Sequence, residues 1–187
     1  MKTRPQNLFL LTLRIAVLIS IMAGHVTAQT FTTLHSFSAE LQNAGAIYTN
    51  SDGASPYGGS LAISGSTLYG AALNGGPNGN GTVFAVNTDG SGFTTLHSFT
   101  KLFGGSSPAT ATNGDGAYPH GGLILSGTTL YGTASQGGTN GSGTVFAVKT
   151  DGSGFTTLHH FAAVVNGVTN SERSTPLGTL MLSGNTL

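Results

Sequence analysis

Cysteine and tryptophan are both absent from the 187 residues, and Asp, Glu, Lys and Arg together make up only 6% of them. Without cysteine the chain has no disulfide, no thiolate metal site and no cysteine nucleophile, so its stability has to come from packing alone. Scarce charge argues against solvent-facing helices, whose outer sides normally carry Lys and Glu. Three of the basic residues, Lys2, Arg4 and Arg14, stand near the start; beyond them only Lys101, Lys149 and Arg173 oppose Glu40, Asp52, Asp89, Asp115, Asp151 and Glu172. That remainder is mildly acidic and holds no basic patch, so nucleic acid is not expected as a partner. What the chain has in quantity is glycine, 30 residues of it. With an aliphatic and aromatic content that still supports a core, this describes a folded chain of many turns, and an all-β class.

Residues 1–28 read as a secretory signal: a basic start at Lys2 and Arg4, an apolar body from Leu8 to Ala23, and small residues before a cut in Val26-Thr27-Ala28-Gln29. The competing reading is a membrane anchor. Arg14 interrupts the apolar run, and the stretch after it, Ile15 to Gly24, is too short for a bilayer core of about 30 Å at about 1.5 Å per residue. The remainder, 29–187, is then expected to be secreted or to work at the cell surface.

That remainder is a repeat array. GTVFAVNTDGSGFTTLHSF at Gly81 to Phe99 returns as GTVFAVKTDGSGFTTLHHF at Gly143 to Phe161, with Asn87 against Lys149 and Ser98 against His160 as the only differences. A partial copy, FTTLHSF at Phe31 to Phe37, stands one period earlier. Alternating apolar and polar residues make Phe31–Phe37 a lone outer strand. Leu61–Ser64 and Thr67–Gly70 form two short strands around Gly65-Ser66, repeated at Leu123–Ser126 and Thr129–Gly132. Glycine-rich loops at Asn74–Asn80 and Gln136–Ser142 lead into a second hairpin, Thr82–Val86 and Phe93–Phe99, turned over Asp89-Gly90. The expected layout is repeat 1 at 56–99, repeat 2 at 119–161 and a truncated repeat 3 at 176–187. Each full repeat supplies four strands, so the fold expected is an incomplete β-propeller-like array of about two full units plus partial ones. Val83 and Ala85 point one way in their strand, and Phe84 and Val86 the other. A strand apolar on both faces must be covered on both, by its neighbours in the array.

The linked elements DGAxP, SGxTLYG, a Gly-Gly loop with Asn, GTVFAV and TDGSGFTTLHSF resemble the GloVer-type (Gloeo/Verruco) tandem repeat of choice-of-anchor bacterial surface proteins. The resemblance covers Thr30 to Leu187. It implies a secreted or surface protein of propeller-like repeats, and no activity or catalytic residue comes with it. A looser similarity to kelch units lies in the Gly-Gly and tyrosine placement, whereas the lack of Trp argues against Trp-Asp propeller repeats.

Chemistry-bearing residues are few. His35, His97 and His159 recur at one strand position and read as half-buried histidines bonded within each repeat, since equivalent positions of an array do not converge on one metal. Asp89-Gly90 and Asp151-Gly152 read as hairpin turns. Asp52 and Asp115 end Asn- and Ser-rich connectors but lack the alternating acids of a calcium loop. The glycine loops have no P-loop Lys-Ser/Thr and read as long flexible connections. No catalytic constellation, metal site or cofactor site stands out. Tyr69 and Tyr131 follow a core strand pattern; Tyr57, Tyr118 and His120 lie in loops and are the candidate ligand contacts.

The expected function is a non-enzymatic structural or binding module, its partner a cell-surface component or a carbohydrate, with self-association through exposed repeat ends. The alternatives are a propeller-type enzyme acting on an extracellular polysaccharide, and a truncated fragment without independent function. Repeat-breaking polar residues, Glu40, His120, Lys149, Glu172 and Arg173, are the ones an enzyme would have to gather.

Overall fold

The computed structural model describes residues 30–43, 47–57, 59–105, 110–163, 175–184 and 186–187. The signal-type segment 1–28 lies outside them, as do Glu172 and Arg173. The chain divides into two compact bodies, Met1–Thr32 and Thr33–Leu187. Of the first only residues 30–32 are described, without regular structure, and every strand named below belongs to the second.

No helix occurs among the described residues. Ahead of the first repeat two-residue strands, β1 (Leu41–Gln42) and β2 (Tyr48–Thr49), pair antiparallel. Repeat 1 is an antiparallel sheet in chain order, β3 (Ala62–Ser64), β4 (Thr67–Ala72), β5 (Thr82–Asn87) and β6 (Thr94–Ser98). Repeat 2 holds β7 (Ala117–Pro119), β8 (Ile124–Ser126), β9 (Thr129–Gln136), β10 (Thr144–Lys149) and β11 (Thr156–His160). β7 and β8 both pair with β9, at its two ends, so together they stand where one bent edge strand would. In repeat 1 the counterpart of β7 shrinks to a single bridge, Ala54 with Asn74.

The hairpins follow their sequence signals. Gly65 and Gly127 sit at φ 57° and 58° between paired strands, a conformation that costs glycine nothing. In the second turn the Asp89 carboxylate accepts from the Ser91 N–H at 2.8 Å and the Ser91 hydroxyl at 2.6 Å, and Asp151 does the same with Ser153. Both inner ladders shift register at the same step, Val83/Phe84 and Val145/Phe146.

Packing explains why β5 is apolar on both sides. Val83 and Ala85 share one core with Leu130, Phe146 and Val148 of repeat 2, while Phe84 and Val86 pack with Ala72, Phe93 and Phe37 on the opposite side. The repeat 1 sheet is thus covered on one side by repeat 2 and on the other by Phe37 of the segment before it. Phe99 and Phe146, both fully buried, meet edge to face across the repeat 1–repeat 2 junction at 5.3 Å. Burying one such ring contributes about 1.5–3 kcal/mol. A glycine makes the packing possible: a Cβ on Gly132 would lie 2.6 Å from Phe146 Cζ, and Gly70 meets Phe84 in the same way.

The expected strand at Phe31–Phe37 does not form. Among the described residues no strand pairs with it, whereas its copy β6 is held by β5 and β11 by β10. Propensity alone does not make a strand without a ladder to join. Residues 35–37 nevertheless occupy the place on repeat 1 that β6 occupies on repeat 2, through the rings of His35 and Phe37. The antiparallel sheets form an open, all-β, propeller-like array, none of them closed on itself.

Candidate functional site

The recurrent histidines and connector aspartates turn out to be partners. His97 Nε2 lies 3.0 Å from Asp115 Oδ2, and its ring stacks on Phe155 of the next repeat at 3.6 Å between centroids. The same carboxylate accepts from the Thr100 N–H at 2.9 Å and from the Thr100 hydroxyl. One period earlier His35, Asp52 and Ser38 repeat the arrangement, with His35 stacked on Phe93 at 3.6 Å. The histidine therefore clamps one repeat to the connector and sheet of the next, and the expectation of a bond within each repeat is corrected on this point. Burial pushes the Asp115 carboxyl up, but the hydrogen bonds from His97 and Thr100 outweigh it and hold the carboxyl below its usual range. Asp52 shows the same balance. A spacing of 17 and 18 residues between His and Asp, recurring in both copies, is the signal that would have linked them.

A second fixture is the connector asparagine. Asn113 Oδ1 accepts the N–H groups of Gly116 and Gly138, both at 2.9 Å, and its amide donates to Gly116 O and Thr100 O. Asn50 makes the equivalent bonds to Gly53, Gly76 and Ser38. The glycine loops, expected as long flexible connections, are tied down at these points. Copy differences follow the same logic. Thr139 donates its N–H to His160 Nδ1 at 3.2 Å, while repeat 1 has Pro77 in the loop, with no N–H to satisfy, and Ser98 in the strand.

With the repeated polar groups accounted for, one place where the copies vary combines changing side chains with an unusual backbone. Each repeat is led in by an X-Pro-X segment: Ser55-Pro56-Tyr57, Tyr118-Pro119-His120 and Thr175-Pro176-Leu177. The residue before each proline has positive φ, 53° at Ser55, 56° at Tyr118 and 68° at Thr175, and these are the only such non-glycine residues described. Positive φ costs a side chain of this kind about 1–2 kcal/mol. The array holds it there, since the Tyr118 N–H donates to Asn80 O at 2.9 Å and the Thr175 N–H to Ser142 O at 3.0 Å, each in the repeat before. The prolines seat on glycine, because a Cβ on Gly81 would meet Pro119 Cδ at 2.6 Å and one on Gly143 would meet Pro176 Cδ at 2.6 Å.

These segments border a cavity of about 440 Å³ lined by Tyr118, His120, Gln136 and Ser135 of repeat 2, Thr175 and Leu177 of repeat 3, and Leu73 of repeat 1. His120 Nδ1 lies 3.3 Å from Leu177 O, so Nδ1–H donates, and in that tautomer Nε2 is an acceptor. Tyr57 sets its ring edge-on to His120 at 5.5 Å. The Ser135 hydroxyl donates to Tyr118 O at 2.9 Å. Gln136 Oε1 is buried and accepts no hydrogen bond among the described residues. Burial raises the Tyr118 phenol above its usual value, which keeps it a donor. Of the three candidate contact residues named from sequence, Tyr118 and His120 line this cavity and Tyr57 lies outside its lining, against His120; Gln136 was missed because its value lies in an environment, and Asn74 at the same position of repeat 1 is also an amide. Tyr69 is core, as expected, at 7% exposure, whereas Tyr131 is only half-buried.

Successive antiparallel sheets that share their junction residues and differ at the lead-in segments define a tandem-repeat protein of the all-β class. The chain belongs to the Gloeobacter/Verrucomicrobia repeat family, whose model matches residues 23–187. Comparison with curated proteins and with solved structures gave no match.

Proposed function

We propose that the chain is a secreted or cell-surface binding module in which the repeats are scaffold and the X-Pro-X lead-in segments present the ligand-binding side chains. The observation that carries this reading is the contrast between the two sets of positions. His97, Asp115, Asn113, Asp151 and their copies recur and are consumed by bonds within the array. Positions 55, 118 and 175 keep one strained backbone and change side chain each time, and two of the three line one cavity. Strain retained while identity varies points to presentation of the side chain rather than to packing.

A non-enzymatic role is part of the proposal. Of the repeat-breaking polar residues, His120 lines the cavity, while Glu40 precedes β1 and Lys149 ends β10 beside the Asp151 turn. These described positions belong to three separate elements and supply no acid and base facing one another. The reading is tested by titrating the ¹⁵N-labelled chain with a set of neutral, cationic, anionic and peptidic fragments. Amide shifts confined to residues around 57, 118–120 and 175–177 are expected. Shifts spread over the outer hairpins, or turnover of an added polysaccharide, would overturn it.

A further inference from the structure

We propose that the cavity lined by Tyr118, His120 and Gln136 is a binding site for a neutral saccharide, one or two sugar units of an uncharged glycan. This deepens the binding-module reading and rests on it. At about 440 Å³ the space falls within the range of small-ligand sites, about 300–1,000 Å³. None of its lining side chains is a carboxylate, ammonium or guanidinium. A charged ligand would lose its hydration there and gain no ionic partner, which disfavours ions, phosphates and zwitterionic peptides.

What the lining does offer is mixed in the way a sugar is mixed. Leu73 and Leu177 give apolar wall, and Tyr118 gives an aromatic face with a hydroxyl at its tip. Tyr57, 64% exposed and edge-on to His120, extends the aromatic surface outward. Gln136 lines the cavity, and its Oε1, closed off from solvent, has no donor, an unfavourable state that a ligand hydroxyl relieves once the amide turns toward it. His120 Nε2 is a second acceptor once Nδ1–H is engaged by Leu177 O. A sugar brings hydroxyl donors for both acceptors and a C–H face for the ring. A purely apolar ligand would leave Gln136 unsatisfied.

The test uses the full chain and four probes of defined chemistry, cellotetraose, xylotetraose, laminaritetraose and fully N-acetylated chitotetraose, with trigalacturonate as the anionic comparison. At least one neutral tetrasaccharide is expected to give saturable amide shifts at Tyr118, His120 and Gln136 below about 10 mM. Gln136→Leu and Tyr118→Gly are each expected to weaken that binding tenfold or more, with dispersed spectra and Tm within about 4 °C of the parent. Absence of binding by all four neutral probes, undiminished binding in both variants, or equal binding of trigalacturonate at the same residues would overturn the proposal. Fragment binding at the cavity without saccharide binding would overturn the ligand class and leave the binding module standing. No binding of any probe or fragment would overturn both.

Discussion

Replacing Asp115 by Ala removes the acceptor that joins β6 to the connector of the next repeat. Three donors lose their partner: His97 Nε2 at 3.0 Å, the Thr100 N–H at 2.9 Å and the Thr100 hydroxyl. Asp115 is only 7% exposed, so water replaces these bonds poorly. A hydrogen bond to a charged group contributes about 1.5–3 kcal/mol, and three on one carboxylate do not add fully, which gives an expected loss of about 3 kcal/mol. Asp115→Asn keeps one acceptor oxygen and should lose about half as much. The effect has a pH signature. The folded carboxyl is held below the unfolded value of about 3.9, so the clamp stabilises fully above that value and its contribution disappears as pH falls through the folded one. Urea unfolding followed by tyrosine fluorescence should therefore show the large difference between parent and Asp115→Ala at neutral pH and a much smaller one in solution acid enough to protonate the folded carboxyl. A loss below about 0.5 kcal/mol at neutral pH, or one equally large in acid, would refute the clamp.

Other expectations follow from the same junctions. Gly132→Ala forces a Cβ to within 2.6 Å of Phe146 Cζ and should cost about 1–3 kcal/mol, whereas Gly127→Ala, at φ 58° with nothing within 4 Å, should cost only about 1 kcal/mol; thermal unfolding separates them. His160→Ser should destabilise by about 0.5–1 kcal/mol through the stranded Thr139 N–H, and Thr139→Pro added to it should recover most of that, measured as a double-mutant cycle. The outer face of repeat 2 carries Leu158 at 49% exposure and a half-buried Val145, where repeat 1 buries Val83 completely. The full chain is accordingly expected to self-associate in sedimentation velocity, and a concentration-independent monomer would count against it.

Local structure was legible where the signal is local. Gly65-Ser66 and Asp89-Gly90 placed both turns of repeat 1, and the two-sided apolar pattern of Val83–Val86 foretold a sheet covered by neighbours on each side. Non-local pairing was not. Residues 32–36 carry the same letters as β6, yet a strand is made by a ladder, and no strand pairs with them among the described residues. The His–Asp clamp spans 18 residues, and only the fold brings a strand histidine and a connector aspartate together. The candidate site was half legible: Tyr57, Tyr118 and His120 stood out because they lie outside the core strand pattern, but neither the positive φ of Tyr118 nor the unpartnered Gln136 Oε1 has a sequence signature.

The central claim is that the array holds Tyr118 in a strained conformation for its side chain and not for the fold, and Tyr118→Gly addresses it most directly. Glycine relieves about 1–2 kcal/mol of strain at φ 56°, against its own entropic cost of about 0.5–1 kcal/mol and the loss of a half-buried ring. The Tyr118 N–H bond to Asn80 O is retained. Its unfolding free energy should stay within about 1 kcal/mol of the parent. A loss of about 3 kcal/mol or more would contradict the claim, because the side chain would then be part of the core rather than of the site.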